Sequence, residues 1–338
     1  MGIKKLADLI RNDAPGAVSY KEICDYTGKV IALDTSIVLN QFRTAVPHLQ
    51  HLGPLTGLFF RTLTFLEHDI KPVFVFDGKP PVEKRAVVRD PYNEMSTQTQ
   101  DCLQLLKLMG VPIIQAPGDG EALCAHLVKQ GKVDAVASED MDTLTFGGNI
   151  LIRQLNAKKD NEVVEYSLPK LLDILKLTHE EFVDLCILLG CDYCDKIAGF
   201  GPKKALTLIQ QHRTIENIVL NINRKTHPVP VFWRYEDARK LFSVAPRTEP
   251  SDLVWTEPDE EALVKFLCHD RHVKEQRIRS RMAKFREIRD RKRKERTDQK
   301  AEGQTRQTRM EDFFRVTRKR QKVEAGEIVV KGKKGRPM

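Results

Sequence analysis

A wound, mostly parallel α/β sheet flanked by helices is the fold class this sequence predicts, and two observations predict it. Four short apolar runs rich in β-branched and aromatic residues alternate with segments of helical periodicity, the pattern of successive β-α-β units. Each run has an aspartate at or just past its carboxyl end. Ligands of such sheets gather beyond those ends, so one shared acidic site is the simplest account of the coincidence.

The first run, residues 29–34 (KVIALD), ends in Asp34. The second, 72–77 (PVFVFD), ends in Asp77 and is followed by Gly78 and the double proline Pro80 and Pro81. The third, 111–116 (VPIIQA), passes into Pro117, Gly118, Asp119, Gly120 and Glu121. The fourth, 133–138, is followed at once by Glu139, Asp140, Met141 and Asp142. Residues 55–68, 95–109 and 121–130 read as the intervening helices. In an extended segment residues two apart share a side, so Asp140 and Asp142 are expected to present two carboxylates together. Paired carboxylates repel, and the usual remedy is a divalent cation held by oxygen ligands. A lone D-x-D is more often a solvated acidic loop; its recurrence with the other aspartates turns the reading toward a site.

Beyond the sheet, residues 180–190 (EEFVDLCILLG) have helical spacing and run into Cys191, Asp192, Tyr193 and Cys194. Residues 197–205 (IAGFGPKKA) form a glycine-bracketed turn between two helices. Gly199, Gly201, Lys203 and Lys204 there would turn backbone N–H groups and a helix N-terminus toward an anion. That is the pattern of a helix–hairpin–helix gripping a phosphodiester backbone, a contact that positions a duplex without reading its sequence. The plainer alternative is an ordinary connection between helices. Residues 226–250 are punctuated by proline, and 258–268 (PDEEALVKFLC) read as a helix near the end of the globular body.

The 338 residues leave room for one large domain plus a tail. The net charge of +9 is unevenly spread: residues 271–338 hold 25 Lys/Arg against 10 Asp/Glu, leaving 31 against 37 for the rest. A basic tail on an acidic body suggests a polyanion partner for the tail. No apolar run is long enough to span a membrane, and MGIKKLADLI is not a secretory signal. Seven irregularly spaced cysteines fit a reducing compartment, and the single C-x-x-C of Cys191 and Cys194 lacks the second pair a zinc site needs. From 277 to 300 Arg and Lys are so dense that the sequence gives little support to a helix. Residues 307–316 (QTRMEDFFRV) space Met310, Phe313 and Phe314 on one helical turn with Gln307 ahead. In a polar tail those side chains point to an external groove. Residues 318–338 read as disordered and basic, with TRKRQK as a nuclear address.

Together these residues resemble the eukaryotic flap endonucleases, structure-specific 5′ nucleases of DNA replication and repair. The resemblance is carried by MGIKKLADLI, IALD, KPVFVFDGKPP, SEDMDTLTFG, EEFVDLCILLGCDYC, GFGPKKA and QTRMEDFF, and covers most of residues 1–316. It implies a PIN-like 5′ nuclease fold with a site for two Mg²⁺ ions, one served by Asp34, Asp77, Asp119 and Glu121, the other by Asp140, Asp142 and Asp192. It implies DNA contacts at Gly2, Arg61, Asp119, Gly190, Asp192, Gly199, Gly201, Lys203 and Lys204, and an electrostatic catalytic role for Lys84. Gln307, Met310, Phe313 and Phe314 would dock on the sliding clamp, PCNA. On this reading residues 1–95 and 96–215 are N-terminal and internal nuclease regions, the second holding the helix–hairpin–helix. Residues 216–270 complete a monomeric body, and 271–338 form the tail, with the clamp motif at 307–314. The substrate would be branched duplex DNA with a 5′ flap, met in Okazaki fragment maturation and long-patch base excision repair. The setting would be nuclear, with the nucleolus and mitochondrion open as further destinations.

Four departures from the family pattern stand out. Asp119 replaces the usual Glu, drawing the carboxylate back by one methylene. Only about two dozen residues separate the KPP motif from LLKLMG, too few for two long helices at 1.5 Å per residue, and Pro91 resists a helix, so a shortened gateway is expected. Arg85 and Arg89 are the candidates for a second basic catalytic group. Asn40 stands where an aromatic is usual, and residues 46–55, with Pro47 in place of an arginine, lack an acidic block. A sister 5′ nuclease of bubbles, junctions or nicks is the alternative within the enzyme class, and a non-catalytic DNA and clamp adaptor the alternative outside it.

Overall fold

The computed structural model describes residues 2–45, 52–78, 97–155, 162–246 and 252–305. Seven strands form one sheet: β1 (Val18–Lys21), β2 (Val30–Asp34), β3 (Lys71–Phe76), β4 (Ile113–Gln115), β5 (Ala135–Ala137), β6 (Ile150–Arg153) and β7 (Val163–Ser167). Their order across the sheet is β1-β7-β6-β5-β2-β3-β4. β6, β5, β2, β3 and β4 are mutually parallel, while β7 runs antiparallel to both β6 and β1.

Side-chain alternation along the central strands builds the layers. Ile31 and Leu33 of β2 enter one apolar cluster with Phe74 and Phe76 of β3, whereas Ala32, Val73 and Val75 enter another on the opposite face. The first face is covered by helices Leu52–Glu67 and Thr97–Leu108, through Leu58, Phe59, Leu63, Leu105 and Leu106. Helix Gly120–Lys129 covers the second through Leu123, Cys124 and Leu127. Strands buried on both faces read as continuous apolar runs, which is why β2 and β3 were visible in the sequence.

A third cluster gathers the helices beyond the sheet. His179–Leu189 is its centre, buried from Phe182 through Leu189. A capping box closes its start, with Thr178 Oγ1 accepting from the Glu181 N–H and the Glu181 carboxylate accepting from the Thr178 N–H. Gly190 ends it at φ 107°, a backbone conformation that favours glycine. Arg239 of helix Tyr235–Ser243 then straps Asp184 with two hydrogen bonds of 2.8 Å and also reaches Glu216, so three helices are tied by one guanidinium.

The structure changes the sequence reading in three places. β1, β6 and β7 were not anticipated; they are short, and β1 and β7 turn the sheet antiparallel at one edge. β4 and β5 keep only three residues each. The segment whose charge density argued against a helix is helical from Glu275 to Thr305. Ile278, Met282 and Phe285 recur on one side of its first half and are buried with the first sheet face, which outweighs the missing charge pattern.

The chain divides into two compact units, Met1–Ile288 and Arg289–Met338. The first therefore includes the opening turns of that long helix, and it unites in one sheet strands from both expected nuclease regions. Among the described residues no helix is long and apolar enough to cross a membrane.

Candidate active site

The strand order sets up the site before any side chain is considered. From β2 the chain proceeds to β3 and β4 on one side, while β5 lies on the other. β2 and β5 therefore flank the point where the winding reverses, and crevices form beyond the carboxyl ends of strands at such a point. Asp34 is the last residue of β2, Asp77 directly follows β3, and Asp140 follows β5 by three residues.

Each carboxylate is fixed by local hydrogen bonding. Asp34, only 1% exposed, accepts from both the backbone N–H and the hydroxyl of Ser36, at 3.1 and 2.7 Å, an Asx-type turn that starts the helix Thr35–Ala45. Ser138 Oγ lies 3.5 Å from the other Asp34 oxygen and accepts the Asp140 N–H at 3.0 Å, so one hydroxyl joins the ends of β2 and β5. Asp77 Oδ1 accepts the Gly120 N–H at 2.7 Å, and a Cβ at residue 120 would stand 2.9 Å from that same oxygen. Glycine is what lets the helix start approach so closely. Glu121 then falls in the first turn of that helix, where the dipole favours negative charge.

Asp140 and Asp142 come together by a different route from the one read in the sequence. The segment is no longer extended there: Met141 is helical and Asp142 opens a short helix, Asp142–Thr145. The Asp142 N–H donates to Asp140 Oδ1 at 3.2 Å, so a turn closes the pair. Ligand oxygens of Glu121, Asp140 and Asp142 all lie within 4.8 Å of one another, and all three residues are buried.

The electrostatics carry the mark of this crowding. Burial pushes the Asp140 carboxyl above its ordinary range, and the charge of Asp192 pushes the same way. Cys124, wholly buried, is raised well above a normal thiol by burial and then by the charges of Asp34, Glu121 and Asp77. Tyr193 is raised by burial and by Asp119, Glu121 and Asp142. Its hydroxyl donates to Asp119 Oδ2 at 2.5 Å, across 74 residues of sequence. A buried, all-oxygen donor set with repelling charges suits a hard divalent cation.

Two backbone segments border the cluster. Gly2 sits at φ 74° with its Cα against Asp140 and Asp142. The Lys4 N–H donates to the Gly190 carbonyl at 3.1 Å, joining the N-terminal strand of chain to the segment that carries Asp192.

The remaining sequence candidates are placed as follows. Gly201 caps the helix Pro202–His212, with Pro202 in its first turn and Gly199 at φ 77° in the preceding hairpin. Lys203 is exposed, and Lys204 Nζ lies 2.5 Å from His227 Nε2. Arg61 is buried, its guanidinium donating to Gln41 Oε1 at 3.0 Å and lying over the Phe42 ring; burial lowers its pKa to about 10. Cys191 and Cys194 have their sulfurs 3.8 Å apart and remain free thiols. Lys84, Arg85, Arg89, Pro47 and Pro91, together with Gln307, Met310, Phe313 and Phe314, lie outside the described residues.

Sequence reasoning gave no role to Ser36, Ser138 or Tyr193. The D-x-S spacing of Asp34 and Ser36 is a legible Asx-turn signal. Nothing in the local sequence announces the pairing of Tyr193 with Asp119.

Comparison with known proteins agrees with this geometry. The XPG N-terminal domain and XPG I-region family models match residues 1–92 and 110–192. A Danio rerio protein described as a probable flap endonuclease 1 homolog is 60% identical, over 99% of this chain and 98% of its own length. The chain belongs to the flap endonuclease family. Flap endonuclease 1 of Xiphophorus maculatus, another member, is 42% identical over 94% of this chain and 91% of its own. The fold of the family is shared with the catalytic core of Rad2 in complex with DNA substrate, at a TM-score of 0.73 and 23% identity over 84% of this chain and 100% of that one. It is also that of flap endonuclease-1 from Methanococcus jannaschii, at 0.68 and 24% over 81% and 97%. As a flap endonuclease family member the chain is a nuclease, and the acidic cluster is its candidate catalytic centre.

Proposed function

We propose that this chain is a Mg²⁺-dependent, structure-specific 5′ flap endonuclease with 5′–3′ exonuclease action on duplex DNA. The observation that carries the reading is the convergence of Glu121, Asp140 and Asp142 at the strand ends, beside Asp34 and Asp77. Two Mg²⁺ ions held there would activate a water for attack on the phosphodiester and stabilise the leaving oxygen. Asp34, Asp77, Asp119 and Glu121 would hold one, and Asp140, Asp142 and Asp192 the other.

The chain's own groups do the rest. Ser36, Ser138 and the Gly120 N–H fix the carboxylates in place before substrate arrives, so no reorganisation is needed at the moment of reaction. Tyr193 keeps Asp119 from swinging away. Gly2, packed against Asp140 and Asp142, and Gly190, packed against Lys4 and Lys196, would border the DNA backbone at the edge of the carboxylates. Gly199 through Lys204 would grip the duplex phosphates on one arm, by N–H groups and lysine charge. Arg61, buried beside Ser138 and Glu139, would act on DNA through the segment it supports. Lys84 would neutralise charge at the scissile phosphate.

In the cell we place this activity in the nucleus, trimming flaps in Okazaki fragment maturation and long-patch base excision repair. A monomeric body would be recruited by Gln307, Met310, Phe313 and Phe314 to the PCNA sliding clamp. The QTRMEDFF motif supports that recruitment.

The test is cleavage of an end-labelled double-flap duplex by purified protein with Mg²⁺. Incision at the flap base, lost on chelation, is expected. Preference for a bubble or junction would instead support a sister enzyme, and absence of product a DNA-binding adaptor. Replacing Phe313 and Phe314 by Ala should spare cleavage and abolish stimulation by the clamp.

A further inference from the structure

Between helices Ile215–Asn221 and Tyr235–Ser243 the chain makes a loop with an unusual division of its apolar residues. Val229 and Trp233 turn inward and pack on the helical cluster. Val231 and Phe232 turn outward and are 90% and 88% exposed. Scattered exposed apolar side chains are normal on a protein surface. This pair differs in how firmly it is held out.

The loop is pinned at both ends to one segment. His227 Nδ1 lies 3.1 Å from the Ala198 carbonyl, in position to donate to it, and the Trp233 indole N–H donates to the Asp195 carbonyl at 2.6 Å. Trp233 also packs on Tyr235, with ring centroids 4.7 Å apart and the ring planes 42° to one another. Between the pins Pro228 and Pro230 fix two φ angles. The ordering cost of presenting Phe232 is thus met within the free protein.

What Phe232 faces is chemically specific. It lines an open cavity of about 400 Å³ with Lys4, Lys196 and Arg234, with the acidic Asp195, and with Gly190 and Asp192 of the border of the carboxylate cluster; Arg234 also reaches Asp237 at 3.3 Å. An aromatic face beside three cations, at the edge of a phosphodiester-cleaving centre, complements a nucleotide: a base for the ring and phosphates for the charges. In the interior of an intact duplex every base face is already stacked. At a branch one face is open.

We propose that Phe232, backed by Val231, is a DNA contact of this chain that stacks on the base face laid open at the branch, with Lys4, Lys196 and Arg234 taking the adjoining phosphates. The inference rests on the flap-nuclease reading above and adds to it a contact that separates branched from unbranched DNA.

The test compares the full-length protein with Phe232→Ala and Phe232→Trp, in chelator so that nothing is cleaved. Fluorescence anisotropy is read on a flap duplex and on an unbranched duplex of equal length. Phe232→Ala should weaken flap binding by about fivefold or more, the low end for losing one base–aromatic stack. It should leave unbranched binding within about twofold, and Phe232→Trp should restore the flap affinity. A 2-aminopurine at the branch should be quenched by wild type and by Phe232→Trp but not by Phe232→Ala. Unchanged flap affinity and quenching in Phe232→Ala, or an equal loss on both duplexes, overturns the proposal. Because the side chain is exposed, melting temperatures should match. If wild type itself neither cleaves flaps nor prefers them, the functional reading fails and this inference with it; if wild type does both while Phe232→Ala is indistinguishable from it, this inference alone fails.

Discussion

A Cβ placed on Gly2 would lie 1.6 Å from Asp140 Oδ1 and 2.6 Å from Asp142 Oδ1. The second residue of the chain is thus packed against two carboxylates of the candidate centre, and at φ 74° any other residue would also be strained. Gly2→Ala must push either the N-terminal segment or Asp140 out of place. A displacement of about 1 Å at reacting groups costs on the order of a hundredfold in rate. Single-turnover cleavage of a flap duplex should fall by that order while the melting temperature moves by only a few degrees. An alanine variant with wild-type cleavage would mean that the Gly2 backbone has no part in positioning the site.

Tyr193 and Asp119 make the second prediction. The Tyr193 hydroxyl donates to the Asp119 carboxylate, and removing a group that orients a metal ligand commonly costs about 10–100-fold in metal affinity or activity. Tyr193→Phe keeps the ring, which packs edge-on against Phe146 and Phe242. A rise of about tenfold in the Mg²⁺ concentration needed for half-maximal cleavage is expected, with saturating rates changed less. If the Mg²⁺ dependence were unmoved, Asp119 would not depend on Tyr193.

These two cases mark how far the sequence carries. Asp34, Asp77, Asp119 and Asp140 were legible because each ends or follows an apolar run, and the fold puts those ends side by side. Glu121 and Asp142 were legible by proximity to them. Tyr193 was not, because its partner is 74 residues away and the two are joined only by tertiary packing of helices, Asp142–Thr145 lying against both Gly120–Lys129 and His179–Leu189. β6 and β7 escaped notice because no helix among the described residues separates them, so they fall outside the strand–helix alternation by which the first four runs were read. The DAVASEDMDTL stretch was assigned the right neighbours for the wrong local reason: a turn, and not strand alternation, joins Asp140 to Asp142.

Asp140 also makes stability depend on pH. Burial and Asp192 raise its folded pKa, so between the unfolded carboxyl range near pH 4 and the higher folded value the native state holds a proton that the unfolded chain has lost. The contribution of this group to stability is therefore favourable at low pH and is lost as pH rises through the folded pKa. In chelator, Asp140→Asn should grow more stable relative to wild type as pH rises from about 4 to 7, measured by urea unfolding. Adding Mg²⁺ at pH 7 should shrink or reverse that difference, because only wild type keeps the full ligand set. A gap between the two proteins that stays flat with pH would show that Asp140 titrates alike in folded and unfolded chains.

The helix Glu275–Thr305 gives the last prediction. Its first half is bound into the nuclease body: Ile278 is fully buried, Met282 and Phe285 nearly so, and Arg281 clasps Glu67 through two hydrogen bonds with both side chains mostly covered. Apolar positions spaced by four and three residues are what a helix needs to bury one stripe, and the lysines and arginines between them occupy the other sides. Removing the bulk of Ile278 leaves a cavity in that buried cluster, so Ile278→Ala should cost about 2–4 kcal/mol of unfolding free energy. A chain ending after Ile288 keeps all three anchors and should unfold at nearly the same urea concentration as the full protein. One ending before Glu275 exposes the cluster and should unfold far more easily. Equal stability of the two truncated chains would mean that the helix is an appendage and that the body closes without it.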